Sequence, residues 1–376
     1  MKTLNDFNFK GKTVIVRSDL NSDIKNGKVL MSKRIKESSV TIKELKNKGA
    51  KIVIIAHQGR KGKVDCISLR QHAKLLSKFT KVKFVDDIIG KGAELEVSKL
   101  KNGEAVLLEN IRFLDKEMKP GKNSFVKFFI GKIDIYVNDA FSVCHRKQTS
   151  IVTFPKYFKH CMGRVLQKEV EALEKINLKD CLYILGGAKP KDNIKLLKKN
   201  RVLATGFFGQ LCLIAKGIKF GEYENFLKDL LKDEFNVHKK LKKKLDNVIV
   251  PIDYAIKING KRKEILVEDF PNKHIIYDIG KMTMNRFSDE IKKAKAIYMK
   301  GPSGDCRESQ FSKGTISILN EVSKSSGFTL IGGGHLNDAI DKSKIPRNKF
   351  NHISLSGGAL LSYLSGEKLP GLKALK

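Results

Sequence analysis

Short runs of β-branched and other apolar residues alternate with amphipathic stretches along the first part of the chain. Five such runs predict strands, at 13–17, 51–57, 81–87, 105–110 and 134–140. The stretches at 34–49 and 68–79 place apolar residues at helical spacing and predict helices between these strands. Strands that alternate with helices in this way form a parallel sheet covered by helices on both faces.

The same alternation begins again after residue 180, where five more strands are predicted at 181–187, 201–205, 247–252, 294–300 and 328–334. Between the two series, a helix is predicted over 162–176, because four apolar residues share one of its faces: Met162, Val165, Val170 and Leu173. Residues 223–245 predict another helix, whose terminal lysines complement the helix dipole and form a solvated face.

A chain of 376 residues is long for a single core, which favours two domains. We therefore predict the α/β fold class, with two doubly wound, Rossmann-like parallel-sheet domains joined by a hinge helix. The predicted boundaries are 1–155 for the first domain, 156–178 for the hinge, 179–356 for the second domain and 357–376 for a segment returning toward the first.

The net charge of +34, from 74 Lys and Arg against 40 Asp and Glu, favours anionic partners. Nucleic acid is one candidate, but the lysines are spread over the whole chain and no helix-turn-helix, zinc-finger or aromatic RNA-binding motif stands out. We interpret the charge as a lysine-biased composition, with a nucleic-acid surface as the alternative.

No apolar run reaches the ~18 residues that a membrane helix requires, and the N-terminus is charged from residue 2, unlike a signal peptide. The six cysteines are scattered without a CxxC pair, as is typical of reduced thiols. We expect a cytoplasmic protein, monomeric and without affinity for membranes.

Arginine and histidine collect where strands of the first domain end. Only twelve of the 74 basic residues are arginine, so lysine is the default cation of this chain. Guanidinium groups bind phosphate or carboxylate through two parallel hydrogen bonds, and ligands of parallel sheets bind at the carboxyl ends of the strands. A small, highly charged anion is therefore predicted at this edge. The residues that predict it are Arg34, His57, Arg60, Arg112, His145 and Arg146.

Glycine clusters mark the second domain, at 186–193, 301–305, 332–338 and 354–361. Glycines at strand-to-helix turns let backbone N–H groups approach phosphate oxygens. Four such clusters favour a nucleotide, although ordinary tight turns are the alternative. Neither GxxxxGK[ST] nor GxGxxG occurs, which argues against a P-loop NTPase and a Rossmann dehydrogenase. Two anion sites in two domains suit the transfer of a group between two separately held substrates.

Ordered motifs along the whole chain resemble those of phosphoglycerate kinases, most closely the archaeal ones. They are VRSDLN (16–21), the segment from RIKESS to AHQGR (34–60), LLENIRF (107–113), VNDAFSVCHR (137–146), ILGGAKPKD (184–192), AKAIYMKGPSG (294–304), LIGGGH (330–335) and HISLSGGA (352–359). The resemblance implies reversible, Mg²⁺-dependent phosphoryl transfer from 1,3-bisphosphoglycerate to ADP, which gives 3-phosphoglycerate and ATP.

The resemblance also implies roles for individual residues. Asp19 and Asn21 match positions that contact the glycerate, and Arg34 matches the arginine that meets the transferring phosphoryl group. The non-transferring phosphate is matched by three arginines and two histidines: Arg60, Arg112, Arg146, His57 and His145. Lys189 matches a lysine near the nucleotide phosphates and, with Arg34, is the implied catalytic pair. The other implied nucleotide-binding residues are Gly187, Glu308, Gly332, Gly333, Gly334, His335 and Gly357.

Some single residues have alternative interpretations. Asp19 could pair with Arg17 instead of binding substrate, and His145 could be a hydrogen-bonded loop histidine. Asp192, which matches an acidic residue at the start of a helix, could be an N-cap or a ligand on the metal side.

The nucleotide half departs from the family pattern. Asn193 replaces a lysine of many members, and Lys300 replaces the asparagine before Gly-Pro. Arg307 replaces the ribose-binding glutamate, with Glu308 one position along, and Leu355 and Ser356 replace a threonine and a glycine of the loop that begins the last long helix. These changes predict weakened nucleotide binding. They leave two alternatives open: a non-catalytic relative that binds a phosphorylated small acid, or a kinase that also binds nucleic acid.

Overall fold

The computed structural model describes residues 1–197 and 200–376, which form two compact units. Unit 1 comprises Met1–Glu171 with Gly366–Lys376, and unit 2 comprises Ala172–Ser365. Among the described residues, no helix combines the length and apolar character needed to cross a bilayer.

Unit 1 is built on a six-stranded sheet in which every neighbouring pair is parallel. Its strands are buried almost throughout, as expected for a sheet covered on both faces. In spatial order they are Lys83–Val85, Ala105–Leu108, Lys51–Ile55, Thr13–Arg17, Ile135–Asn138 and Lys159–Met162. A small hairpin pairs Ile24–Lys25 with Lys28–Val29.

The helices of unit 1 connect these strands or follow the last of them. They are Lys33–Asn47, Arg70–Leu76, Lys91–Ser98, Ser124–Phe129, the helix Arg164–Lys175 that continues into unit 2, and Pro370–Lys373. The core joins the strand residues to the buried face of the first helix, where Ile35, Ile42 and Leu45 are fully buried. The predicted helices at 34–49 and 68–79 are therefore confirmed, with the second one shorter than predicted.

Residues 366–376 complete unit 1. The Gly371 N–H donates to the Cys144 carbonyl at 2.8 Å, and a Cβ on Gly371 would lie 2.8 Å from both Cys144 Cα and Ile151 Cγ2. Only glycine therefore permits this approach. The contact fastens the end of the chain to the loop that carries His145.

Unit 2 contains a second six-stranded parallel sheet. Its strands, in spatial order, are Val248–Ile249, Val202–Ala204, Cys181–Leu185, Ala296–Lys300, Phe328–Gly332 and His352–Ser354. Its helices are Pro190–Ile194, Gly206–Ala215, Glu222–Leu231, Val237–Leu241, Lys281–Lys292, Lys313–Lys324, Gly334–Ser343 and Gly358–Leu364. The predicted α/β class with two doubly wound sheets is confirmed.

Unit 2 also contains an antiparallel sheet that the sequence pattern did not indicate. Its strands are Lys261–Leu266, Asp253–Ile258 and Ile276–Ile279. The first of them, KRKEIL, is largely exposed and lacks apolar alternation, which explains why no strand was predicted there.

Two predicted helices were wrong in part. Met162 does not begin a helix: it ends the strand Lys159–Met162, and the helix begins at Arg164. The predicted hinge segment 156–178 therefore contains an edge strand as well as a helix. Asp139 Oδ1 accepts the Val165 N–H at 2.8 Å and holds the beginning of that helix.

The predicted helix over 223–245 is interrupted. Glu222–Leu231 ends at Lys232, whose positive φ of +48° breaks the helical geometry, and a short 3₁₀ turn separates it from Val237–Leu241.

Candidate active site

The carboxyl ends of the unit 1 strands carry the predicted cations. The strand Thr13–Arg17 lies between Lys51–Ile55 and Ile135–Asn138, where the direction of strand addition reverses. Such a reversal point is where doubly wound sheets form their ligand crevice. We call this region the Arg/His edge; its basic residues are Arg17, Arg34, His57, Arg60, Arg112, His145 and Arg146.

His57 is 5% exposed, and its Nδ1 lies 3.1 Å from Arg17 Nη2. A guanidinium only donates hydrogen bonds, so Nδ1 is the acceptor and the proton of the neutral ring lies on Nε2. Burial, followed by the charges of Arg17, Arg112, Arg146 and Arg34, lowers the pKa of His57 well below its usual value. His57 is therefore a neutral donor that contacts Arg17 and feels the charges of three further guanidinium groups.

Arg17 is the member of this cluster that sequence reasoning missed. It is fully buried, and besides His57 it donates to Ser150 Oγ at 3.1 Å and to the Ser18 carbonyl at 2.6 Å. The Ser150 hydroxyl in turn donates to Glu117 Oε1 at 2.7 Å. Glu117 is fully buried too, and burial raises its pKa while Arg17 opposes that rise. An arginine that ends a continuous apolar run, TVIVR, was the signal that could have revealed it.

Asp19 pairs with Arg34, not with Arg17. Arg34 Nη1 lies 3.1 and 3.2 Å from the two carboxylate oxygens of Asp19. Arg34 lies in the first turn of Lys33–Asn47, whose N-cap Ser32 accepts the Ile35 N–H. Its side chain stays 27% exposed, whereas the Asp19 side chain is 8% exposed. The buried Asp19 carboxylate therefore orients the Arg34 guanidinium, which stays partly accessible at the Arg/His edge.

Asn21 fixes the loop after the strand Lys51–Ile55, because its Oδ1 accepts the Gly59 N–H at 2.8 Å. Gly59 has a φ of +69°, and the Asp65 carbonyl occupies the place that a Cβ would need. Glycine is required there, and the turn it makes carries the exposed Arg60 out of the sheet.

Arg112 is 4% exposed, and its Nε has no hydrogen-bond partner among the described residues. With the amide oxygen of Gln148 turned toward it, both terminal nitrogens donate to that oxygen at 2.8 and 3.0 Å. Burial, then Arg17 and Arg146, lower the pKa of Arg112 to about 10. A buried, crowded guanidinium with an unsatisfied donor is suited to an anionic ligand.

Arg146 completes the group. Its Nε lies 3.3 Å from His145 Nε2. Burial lowers the pKa of Arg146, and so do the nearby charges of Arg60 and Arg17. The structure thus brings the predicted cations of unit 1 into one electrostatic neighbourhood.

The carboxyl ends of the unit 2 strands carry the glycine clusters, and we call this region the glycine edge. The chain order reverses between Cys181–Leu185 and Ala296–Lys300. The turns that follow these two strands touch: a Cβ on Gly187 would lie 3.2 Å from Gly301 Cα, and both glycines have a φ near +80°, at +79° and +77°. Side chains at either position would separate the two loops.

The other predicted nucleotide residues lie in or beside further turns that follow strands of the second sheet. Gly332 ends its strand, Gly333 has a φ of +105° as N-cap, and Gly334 begins the helix that also presents the exposed His335. A Cβ on Gly357, which precedes the helix Gly358–Leu364, would meet no atom within 4 Å. The exposed Lys189 precedes the helix Pro190–Ile194.

The structure places Arg307 and its neighbour Glu308 in separate local ion pairs. The Glu308 carboxylate accepts from Lys257 Nζ at 2.8 and 2.9 Å, and Lys257 belongs to the antiparallel sheet. Arg307 donates from Nε to Asp305 at 2.8 Å, and its side chain is 90% exposed. Ser356 is buried, with its N–H donated to Ser354 Oγ at 3.0 Å.

No group of three or more metal-ligating side chains occurs in the part of the chain that the structure describes. The carboxylate of Asp192, 41% exposed at the start of Pro190–Ile194, is the acidic group nearest in sequence to Lys189 at the glycine edge. A single carboxylate at a glycine-rich edge is compatible with Mg²⁺, which keeps several waters and is commonly held by one or two carboxylates together with substrate phosphates.

Comparisons with known proteins agree along the whole chain. The family model described as phosphoglycerate kinase matches residues 4–367. A phosphoglycerate kinase of Methanothermus fervidus is 38% identical and covers 100% of this chain and 96% of its own length. One of Saccharolobus solfataricus is 39% identical, over 99% of this chain and 96% of its own length.

Solved structures agree with this similarity. The crystal structure of phosphoglycerate kinase from Pyrococcus horikoshii OT3 matches with a TM-score of 0.91 at 35% identity and covers 100% of this chain and 98% of its own. The enzyme from Coxiella burnetii matches over the same shares with a TM-score of 0.80 at 28% identity. The chain belongs to the phosphoglycerate kinase family.

Proposed function

We propose that the Arg/His edge binds the triose phosphate and that the glycine edge binds the Mg²⁺ nucleotide in the phosphoglycerate kinase reaction of this chain. The predicted domain boundaries, 1–155 for the first substrate and 179–356 for the second, follow the same division of roles. The observation that carries the assignment is that buried His57 contacts Arg17 at 3.1 Å and lies close enough to Arg112, Arg146 and Arg34 for their charges to lower its pKa. These clustered like charges, of which Arg17 and Arg112 are buried, repel one another, and a multiply charged anion relieves that repulsion.

At the Arg/His edge, Asp19 and Asn21 contact the glycerate. The non-transferring phosphate is bound by Arg60, Arg112 and Arg146, with His57 and His145 beside them. The unsatisfied Nε of Arg112 and the Nε2–H of His57 supply donors without a further change of protonation. The neutral state of His57 lets it donate to a phosphate or carboxylate at neutral pH.

During transfer, a β-phosphate oxygen of ADP attacks the phosphorus of the acyl phosphate, the P–O bond to the carboxyl group breaks, and the carboxylate leaves with the electron pair. No general base is needed, because the attacking oxygen is already ionised. Catalysis consists of positioning and charge neutralisation. We assign these roles to Arg34, which Asp19 orients, and to Lys189 at the start of Pro190–Ile194.

The nucleotide is bound by turns that expose backbone N–H groups. These turns contain Gly187, Gly332, Gly333, Gly334 and Gly357, with His335 and Glu308 as flanking side chains. Asp192 is the carboxylate that would hold Mg²⁺ beside the nucleotide phosphates, and the bound metal would neutralise part of their charge.

A coupled assay of the purified chain with 3-phosphoglycerate, ATP and Mg²⁺ tests the function directly. We expect turnover that requires all three components. The same chain with Arg34→Ala and Arg112→Ala serves as the matched control for contaminating kinase activity, because it should be inactive while it retains its fold. Absence of turnover by the unmodified chain, together with binding of 3-phosphoglycerate, would instead favour a non-catalytic relative.

We also propose that the protein is a cytoplasmic monomer that does not bind nucleic acid. Light scattering at several concentrations tests the monomer. Retention on DNA across a salt series tests the basic surface, since a true binder shows a steep fall of log affinity with log salt. The +34 charge motivates that measurement.

A further inference from the structure

Gln58 is a buried amide beside the Arg/His edge that the proposed mechanism does not use. It lies after the strand Lys51–Ile55 and directly before Gly59, and it is 1% exposed. A primary amide carries an acceptor oxygen and two donor hydrogens. When such a group is buried, each atom left unpaired costs free energy. The partners of this side chain therefore show what it holds in place.

The Gln58 amide bonds both backbone groups of Ser22. The Ser22 N–H donates to Gln58 Oε1 at 2.9 Å, and Gln58 Nε2 donates to the Ser22 carbonyl at 3.0 Å. Because a backbone N–H only donates and a carbonyl only accepts, these two contacts determine which end of the amide is the oxygen. Ser22 lies outside every strand and helix, so Gln58 supplies the hydrogen bonds that regular structure would otherwise give it.

Asn21 makes the matching contact in the opposite direction. Its Oδ1 accepts the Gly59 N–H, so each of the two segments lends one amide side chain to the backbone of the other. We call these contacts the amide clamp: the Gln58 side chain on Ser22 and the Asn21 side chain on Gly59. Asn21 is partly exposed, and its Nδ2 has no hydrogen-bond partner among the described residues. The clamp therefore fixes the oxygen of Asn21 and leaves its N–H donors for a ligand.

The same amide supports the loop that bears Arg60. Gln58 Nε2 also donates to the Asp65 carbonyl at 3.3 Å, and Asp65 Oδ1 accepts the Arg60 N–H at 3.3 Å. His72 completes the set, because its Nε2 lies 3.0 Å from Gln58 Oε1, which is an acceptor, and the ring therefore donates from Nε2. One buried side chain thus connects the segments of Asn21 and Arg60.

We propose that Gln58 is a positioning residue for the triose-phosphate substrate, which acts mainly through the amide clamp on Asn21 and, through Asp65, on Arg60. This proposal rests on the proposed function, in which Asn21 contacts the glycerate and Arg60 the non-transferring phosphate. Both residues lie outside the strands, so the sheet alone does not fix their side chains. Displacing a substrate-positioning group is costly, because the donors must meet both ends of the ligand at once. Gln58 itself is buried and acts through these neighbours.

Gln58→Met tests this role, because methionine keeps the approximate length of the side chain and removes every hydrogen bond of the amide. Calorimetry measures the affinities for 3-phosphoglycerate and for ADP, and thermal denaturation measures folding. We expect the affinity for 3-phosphoglycerate to fall by about tenfold or more, because its positioning groups are displaced. The affinity for ADP should not change, since the glycine edge belongs to unit 2 and Gln58 to unit 1.

Gln210→Met is the matched control. Gln210 is a buried glutamine of unit 2, 3% exposed, and its Oε1 accepts from the Tyr223 hydroxyl at 3.1 Å. The same substitution there removes a buried amide from the unit that holds no part of the Arg/His edge. It should lower the melting temperature and leave the affinity for 3-phosphoglycerate unchanged. If Gln58→Met does not fold, Gln58→Glu replaces it, since its carboxylate still accepts from Ser22 but donates nothing.

A double-mutant cycle measures whether Gln58 acts through Asn21. In Asn21→Ala the clamp has already lost the amide that faces the ligand. Adding Gln58→Met to that variant should therefore lower the affinity for 3-phosphoglycerate by about threefold at most, which is the part that Arg60 carries. Residues that act independently would instead give the same loss in both backgrounds.

Three results would overturn the proposal. The first is an affinity of Gln58→Met for 3-phosphoglycerate within about threefold of the unmodified chain, even with a lower melting temperature, because that describes a purely structural glutamine. The second is an equal loss with and without Asn21→Ala, because the clamp would then not transmit the effect. The third is an equal loss in Gln210→Met, because destabilisation alone would then explain it. An unmodified chain that binds no 3-phosphoglycerate would instead refute the proposed triose-phosphate site itself.

Discussion

Replacement of Arg17 by methionine tests whether the buried cluster is held together by charge. The change removes donors to His57 Nδ1, Ser150 Oγ and the Ser18 carbonyl at 3.1, 3.1 and 2.6 Å. It also removes the cation that opposes the raised pKa of buried Glu117. Loss of one partner from a buried charged group typically destabilises a protein by about 3–5 kcal/mol. Methionine fills most of the volume of the arginine side chain, so no large cavity adds to that cost.

We expect Arg17→Met to lower the free energy of unfolding by about 3–5 kcal/mol, measured by urea denaturation of the whole chain. Adding Glu117→Gln should recover part of that loss, because the amide still accepts from Ser150 but no longer carries an uncompensated charge. The pKa of His57 should rise in Arg17→Met, because after burial Arg17 is the leading cause of its depression. NMR titration of the ring measures that shift.

A loss under about 1 kcal/mol, which is the size of an ordinary surface substitution, would refute the reasoning about Arg17. So would strict additivity of Arg17→Met and Glu117→Gln, since coupled residues deviate from additivity by about 0.5–3 kcal/mol.

Four further outcomes are expected. Arg34→Lys should lower turnover about 10²-fold while 3-phosphoglycerate affinity changes little, since a forked donor acts mainly on developing charge; steady-state kinetics within threefold of the unmodified chain would contradict this. Three single alanine variants should each weaken 3-phosphoglycerate binding by about 1.5–3 kcal/mol with ADP affinity unchanged in calorimetry: Arg60→Ala, Arg112→Ala and Arg146→Ala. Burial lowers the pKa of His72 to about 4, below the value of about 6.5 expected in the unfolded chain, so the folded protein should lose up to about 3 kcal/mol of stability as pH falls from 6.5 toward 4. In urea titrations, His72→Gln should lose less stability over this pH range than the control His160→Gln. Arg262→Met should destabilise unit 2 by about 3–5 kcal/mol, because Arg262 Nη1 lies 2.9 Å from the fully buried carboxylate of Asp278, and Asp278→Asn should reduce that loss.

Much of the fold followed from local patterns. The runs TVIVR and KIVII became buried parallel strands because continuous β-branched segments suit a sheet covered on both faces. The strand ends then placed His57 and Arg112 correctly, since strand direction in a parallel sheet brings such positions to one edge.

Other features depended on contacts distant in sequence. KHCM at 159–162 has too few apolar residues to indicate a strand, and it pairs only because Ile135–Asn138 offers an edge. The strand KRKEIL depends on its neighbours in the same way. Asp19 meets Arg34 because the chain between the first strand and the first long helix turns back on itself, and the spacing of apolar residues does not predict the path of that segment. The contact between Lys300 and Asn193 joins residues 107 positions apart.

Unit 1 is discontinuous along the chain, and this affects the order in which the protein can be completed during synthesis. The ribosome makes Met1–Glu171 first, then all of unit 2, and only afterwards the Gly366–Lys376 segment that bonds to Cys144. The loop bearing His145 and Arg146 therefore acquires its hydrogen bond from Gly371 only after unit 2 has been synthesised. Unit 1 is therefore the last unit to receive all of its residues, although most of its sequence is translated first.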